Sequence, residues 1–243
     1  MMKSRFQFPT FSALCISLVL CANTASAYEE TPVANGGRVT GTVKLKGKVP
    51  AAGSLEVATD QATCGHRVTD ESLVVHEGMI QNVVVSIDGI TAGKKPEKTN
   101  QHLNNLECRY VPHVQTIQAG ASLIIENADS ILHNTHGNYE NGRTAFNLAL
   151  PRQGVQIKKR IRKPGIITMK CDAGHTWMSA YVHVFAHPYH AVTGKDGTFS
   201  ISDIPAGTYT FSVWHETLAS KKVEVTVEAG KTVTVSIELE GPE

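Results

Sequence analysis

The sequence predicts an all-β protein. Three observations carry this: helical periodicity is almost absent, apolar and polar residues alternate with a period of two in run after run, and turn signals separate the runs. Alternating strands bury one face and wet the other. Many short strands at regular spacing predict β-sandwiches.

The first 27 residues stand apart from this pattern. Lys3 and Arg5 make a basic start, Phe11 to Cys21 is a short apolar run, and Ala25-Ser26-Ala27 supplies small residues for cleavage. That is the layout of a secretory signal peptide, too short for a comfortable membrane span. The expected mature chain is exported, to the periplasm or the extracellular space, with no transmembrane segment. Residues 28–36 read as a flexible leader.

The strands follow in order. Val39, Gly41, Val43 and Leu45 alternate with polar residues, as do Val83 and Val85. Residues 91–101 read as an exposed loop. Leu123 to Asn127 is a strand turned by Asn127-Ala128-Asp129, and Pro164-Gly165 leads into a strand over 166–170. Tyr181 to Phe185 reads as the next strand. Beyond it, Phe199 and Ile201, then Tyr209, Phe211 and Val213, then Val223, Val225 and Val227, and finally Val233, Val235, Ile237 and Leu239 alternate. Asp196-Gly197, Pro205-Ala206-Gly207 and Ala229-Gly230 supply the turns. A division near Pro188 leaves nearly all Cys and His in residues 37–188 and a compact strand-rich tail in residues 189–241.

Charge and cysteine usage narrow the function. Lys and Arg number 23 against 22 Asp and Glu, a balance that argues against a nucleic-acid partner. Cys15 and Cys21 fall in the signal segment, which leaves Cys64, Cys108 and Cys171. An exported chain can keep a disulfide, and Cys64–Cys108 would close a loop, with Cys171 left as a free thiol. No Cys-x-x-Cys-His occurs, so covalent c-type haem is excluded.

Cys171 opens the stretch richest in chemistry. Cys171, His175 and Met178 place a thiol, an imidazole and a thioether on one loop between two strands, where rigid flanks can aim side chains at one point. A thiolate, imidazoles and a weak axial methionine sulfur are the ligands of redox copper. His133-Asn134, just past the Asn127–Asp129 turn, supplies a second imidazole.

Residues 127–134, Pro164-Gly165 and Cys171…His175…Met178 together resemble the cupredoxin (plastocyanin/azurin) pattern, over roughly residues 80–186. The resemblance implies a Greek-key β-sandwich holding a mononuclear type 1 copper that cycles between Cu+ and Cu2+. His133, Cys171 and His175 would be strong trigonal ligands and Met178 the weak axial one. Asn134 would hold the two ligand loops together by hydrogen bonds. The spacing departs from plastocyanin: the Cys-to-His gap is one residue wider and the His-to-Met gap two narrower. The same spacing matches half of the binuclear copper site of cytochrome oxidase, but Ile167 stands where a second cysteine would be needed. His136 competes with Met178 for the axial place. The tail, with Gly194 to Phe199 and Ile204 to Tyr209, resembles the carboxypeptidase regulatory-like module, a smaller Ig/prealbumin-like β-sandwich. Residues 37–43 resemble that module's first strand and are candidates to pair with the tail across the chain.

Other residues have blander readings. His113 is read as structural and His183 as a strand-face residue. His187-Pro188-Tyr189-His190 with Trp214-His215-Glu216 is read as a hydrogen-bonded interdomain patch, with a second metal as the alternative. Lys158, Lys159, Arg160, Arg162 and Lys163 form either a solvated face or a docking patch for an acidic redox partner. No nucleophilic triad stands out, so no enzyme is expected. The expected role is single-electron carriage between redox partners such as a cytochrome or an oxidoreductase. The alternatives are an open copper site reacting with a small molecule, and a non-redox envelope binding module.

Overall fold

The computed structural model describes residues 28–51 and 53–241, so the expected signal peptide lies outside the described residues. The described chain is all-β apart from one four-residue helix, Gln61–Cys64. Its strands build two sandwiches, each around its own apolar cluster.

The first sandwich holds the cysteine–histidine motifs. One sheet runs in the order Arg109–Val111, Gln101–Leu106, Ser122–Asn127, Gln156–Arg160. The other runs Val114–Gln118, Ser179–Phe185, Gly165–Lys170, His133–Tyr139, Thr144–Leu150. Gln101–Leu106 lies parallel to Ser122–Asn127, and Val114–Gln118 parallel to Ser179–Phe185. Two-residue alternation sends Leu103, Leu123 and Ile125 of one sheet against Ile167, Met169 and Val182 of the other, all completely buried.

The second sandwich is not confined to the tail. One sheet runs His190–Val192, Val84–Ile87, Gly207–Trp214, Lys221–Val227. The other runs Thr198–Ile204, Gly37–Lys46, Met79–Ile80, Val75–His76, and Thr232–Glu240 also pairs with Gly37–Lys46. The pairing of Gly37–Lys46 with Thr232–Glu240 is parallel, in register from Arg38 opposite Thr232 to Lys46 opposite Glu240. A division at Pro188 is therefore corrected. The tail's sheets need the early strands: Val39 and Val43 fill the core against Ile237 and Leu239, and Val84–Ile87 sits between two tail strands. Gly41 is required there, since a Cβ would come within 2.7 Å of the Phe199 ring. The first sandwich is thus inserted into the second, between Val84–Ile87 and His190–Val192.

Two loop readings are also corrected. The 28–36 leader is pinned at its start, where Glu29–Glu30 pairs in parallel with Ala92–Gly93. The same pairing gives the 91–101 loop a strand of its own, and the Tyr28 hydroxyl donates to the Lys94 carbonyl. Backbone hydrogen bonds between these segments take up groups that a free leader would leave to water.

One excursion joins the bodies. Ser54–Glu56 and Arg67–Thr69 form a hairpin enclosing the short helix. It leaves the second sandwich, yet Val57, Cys64 and Val68 are buried in the core cluster of the first. A Cys64–Cys108 disulfide fastens it there.

The patch between the sandwiches combines ring packing with hydrogen bonds: Glu216 bonds His113, and the Tyr189 and Thr217 amides donate to His187 Nδ1 and His215 Nδ1. Trp214 meets His183 edge-on with centroids 4.3 Å apart, and Phe185 stacks on His190 at 4.4 Å. His183 Nε2 and His190 Nδ1 have no partner among the described residues. Burial pushes His183 down to about 3 and His187, His190 and His215 down to about 4. None of these belongs to a group of three or more donors close enough for one metal ion, among the described residues.

Candidate metal centre

Both ligand loops are set by backbone hydrogen bonds. Asn127 Oδ1 accepts the Asp129 amide, and its Nδ2 donates to the carbonyls of Ile131 (2.7 Å) and Leu150 (2.9 Å). This fixes the approach to His133, the first residue of its strand. Strand parity then puts His133 and Thr135 on the buried face and Asn134 and His136 on the other. The second loop starts where Gly165–Lys170 ends. Gly174 turns it with φ of +95°, and the Met178 amide donates to the His175 carbonyl at 3.0 Å.

Three donor atoms meet. His133 Nδ1 lies 3.0 Å from His175 Nδ1, and Cys171 Sγ lies 3.5 Å from His175 Nδ1. All three donors fall within 4.8 Å of one another. Both imidazoles are completely buried and the cysteine is 5% exposed. Cys171 is a free thiol.

The outer edges of both rings are held by carboxylates. His133 Nε2 sits 2.9 Å from Asp129 Oδ2, and His175 Nε2 sits 2.8 Å from Asp60 Oδ2. An ionised carboxylate only accepts, so each Nε2 carries its hydrogen, and in the neutral ring Nδ1 then presents a lone pair. Two lone pairs 3.0 Å apart beside a thiol sulfur repel one another, and a cation between them relieves the conflict. The residues present therefore fit a metal ion. The donor set of one thiolate and two Nδ1 nitrogens suits a soft or borderline transition metal, and a carboxylate behind each ring is how metal-bound histidines are oriented.

A second layer ties the loops. The Asn134 amide donates to Cys171 Sγ at 3.3 Å, and the Asp172 amide donates to Asn134 Oδ1 at 3.3 Å. Asn134 Nδ2 donates to Asn147 Oδ1 at 2.7 Å, and the Tyr110 hydroxyl donates to the Asn134 carbonyl. Asp129 also accepts the amides of Glu107 and Cys108, both at 2.8 Å. Trp177 packs 5.2 Å from the His175 ring and donates its Nε1–H to the Cys108 carbonyl. Burial lowers the His133 pKa despite the opposing pull of Asp129, so this imidazole stays neutral and ready to ligate.

Met178 is buried at the end of the same loop. His136 is turned away: its Nδ1 bonds Asp172 Oδ2 at 2.6 Å and its Nε2 faces Thr144 Oγ1. A second close group, Cys108, Asp129 and His133, offers no thiolate because the sulfur of Cys108 is in the disulfide. Two site residues were missed in the sequence. Asp129 was visible as a turn residue four positions before His133. Asp60 carried no signal, being 115 residues from its partner.

Comparison with known proteins bears on the tail. Residues 168–240 match the carboxypeptidase regulatory-like domain. That match takes in the last strands of the inserted sandwich as well as the tail strands. No sequence relative among curated proteins matches the chain. Among solved structures, a purple cupredoxin from Nitrosopumilus maritimus is 23% identical over 35% of this chain and 99% of its own, with a TM-score of 0.31. Amicyanin from Paracoccus versutus is 15% identical over 49% of this chain and 95% of its own, with a TM-score of 0.32. A copper-containing nitrite reductase from Thermus scotoductus is 17% identical over 38% of this chain, which spans 24% of that protein's length, with a TM-score of 0.31.

Proposed function

We propose that this is an exported type 1 copper protein that carries single electrons between redox partners. His133, Cys171 and His175 serve as strong ligands and Met178 as the weak axial one. The observation that carries this reading is the pair of imidazole Nδ1 atoms facing each other beside the Cys171 sulfur, each ring fixed from behind by a carboxylate. Copper held there supplies one-electron chemistry between Cu+ and Cu2+.

The chain's own residues supply the rest. The Asn134 amide hydrogen bond to Cys171 Sγ stabilises the thiolate. The hydrogen bonds among Asn134, Asp172 and Asn147 stiffen both loops, so the donors move little when charge changes. Complete burial of both histidines keeps water and small substrates away, which favours electron carriage over an open reactive site. Lys158 and Arg160 stand exposed on Gln156–Arg160, a strand paired on one side only, with Arg162 and Lys163 just beyond. This row is a docking surface for an acidic redox protein such as a cytochrome or oxidoreductase, raising the encounter rate more than the affinity.

The test is an absorption and electron paramagnetic resonance spectrum of the copper-loaded, oxidised protein. The expected result is a strong thiolate-to-copper band in the visible range with a small parallel hyperfine splitting. A colourless protein after copper addition and oxidation, or a large splitting, rejects the reading.

A further inference from the structure

We propose that Asp60 is a positioning residue of the metal centre: its carboxylate fixes the ring of His175 and places negative charge behind it, biasing the site toward the oxidised ion. The inference rests on the copper reading above.

Asp60 reaches the site from outside the inserted sandwich. It sits in the hairpin excursion immediately before Gln61–Cys64. Its backbone adopts φ 54° and ψ 32°, a left-handed conformation uncommon for a residue with a side chain. Its carbonyl starts the helix, accepting the amides of Thr63 and Cys64 at 2.9 Å. Aspartate in that place ordinarily turns its side chain back to cap the helix. Asp60 makes no such bond. Its Oδ2 goes to His175 Nε2 instead, at 2.8 Å.

The hairpin is held in place to allow this. Gln61 Nε2 donates to the Val57 carbonyl, and Thr59 Oγ1 donates to the Gly174 carbonyl on the ligand loop. The Cys64–Cys108 disulfide anchors the far end of the helix. The Cys108 amide is in turn held by Asp129, the carboxylate behind His133. One covalent brace thus connects the supports of both imidazoles.

The chemical consequence follows from charge. A carboxylate on Nε2–H makes Nδ1 a stronger donor and selects the tautomer that ligates. The added negative charge favours the ion of higher charge, so removing it raises the midpoint potential. The Asp60 side chain is 46% exposed, and solvent damps its field, so the low end of the usual range applies. Loss of such a support costs about 10-fold in metal affinity at that end. About 10-fold lost from Cu2+ relative to Cu+ corresponds to about 59 mV for one electron.

The experiment uses the full mature protein with Asp60→Asn and Asp60→Ala. Nitrogen NMR of the metal-free protein reads the His175 tautomer. Wild type and Asp60→Asn, which keeps an acceptor, are expected to hold the hydrogen on Nε2, while Asp60→Ala mixes the tautomers. In the copper-loaded protein, voltammetry is expected to give a higher midpoint for Asp60→Asn, and competition titrations a roughly tenfold lower preference for Cu2+ over Cu+. An unchanged tautomer in Asp60→Ala, or an unchanged midpoint in Asp60→Asn, overturns the proposal. Failure of wild type to take up copper rejects the copper reading and, with it, the bias toward the oxidised ion, while the metal-free NMR still decides whether Asp60 fixes the ring.

Discussion

His113 and Glu216 are hydrogen-bonded to each other across the two sandwiches, with both side chains almost completely buried. The other nitrogen of His113 bonds the carbonyl of Ser179, the residue after Met178. Burial pulls the His113 pKa down, but the hydrogen bond and charge of Glu216, with Glu71 beyond, outweigh it and hold the value above normal. At pH 6, below that raised value, His113 is therefore an imidazolium held against Glu216. Glu216→Ala strands the buried cation and is expected to cost about 3–5 kcal/mol in urea unfolding at pH 6. The sign for His113 follows from its raised value: its stabilising contribution is complete below about pH 6.5 and is lost as pH rises through its native pKa.

The neutral histidines at the interface act in the opposite sense. His183 is held down to about 3 and His215 to about 4, each chiefly by burial. Between about pH 6.5 and those values the unfolded chain binds protons that the native chain refuses. Each is expected to remove about 1.4 kcal/mol of stability per pH unit of acidification in that window. Thermal melts from pH 7 to pH 5 check this, and His183→Phe should flatten the dependence. An unaltered slope in that variant rejects the assignment.

The metal ligands separate by substitution. Cys171→Ala is expected to abolish the visible charge-transfer band. Met178→Leu should retain the band and shift the midpoint potential. Colour surviving in Cys171→Ala defeats the ligand assignment.

The Cys64–Cys108 bridge spans 44 positions of sequence. Replacing both cysteines with alanine is expected to cost about 2–4 kcal/mol in denaturant unfolding. It should also loosen the 54–69 hairpin, seen as faster exchange of the amides at positions 63 and 64, which bond the Asp60 carbonyl in the native chain.

Much of this was legible in the sequence, for reasons that particular residues show. Alternation at Val39–Leu45 and Val233–Leu239 marked strands because one face of each meets a core. The free Cys171 followed from an odd cysteine count. Which strands pair was less legible: Gly37–Lys46 lies beside Thr232–Glu240, and only tertiary assembly decides such a distant match. His183 read as a strand-face residue, but alternation assumes one wet face, and here a second sandwich covers the outer face of Ser179–Phe185. The sequence left His136 as a rival to Met178, because only the observed strand His133–Tyr139 sets the parity that turns it away from His133. Asp60 stayed hidden because a carboxylate in a polar loop resembles any solvated one.

The inserted sandwich leaves and re-enters its host through hydrogen-bonded neighbours, with Val84 opposite Val192 and Ser86 opposite His190. Adjacent strands stand about 4.8 Å apart, so a short linker could heal the host after excision. The excised piece would carry His133, Cys171, His175 and Met178 away intact. It would leave behind the carboxylate behind one imidazole and half of the disulfide. The module is portable in topology but not in chemistry, because its finishing parts are lent by the scaffold around it.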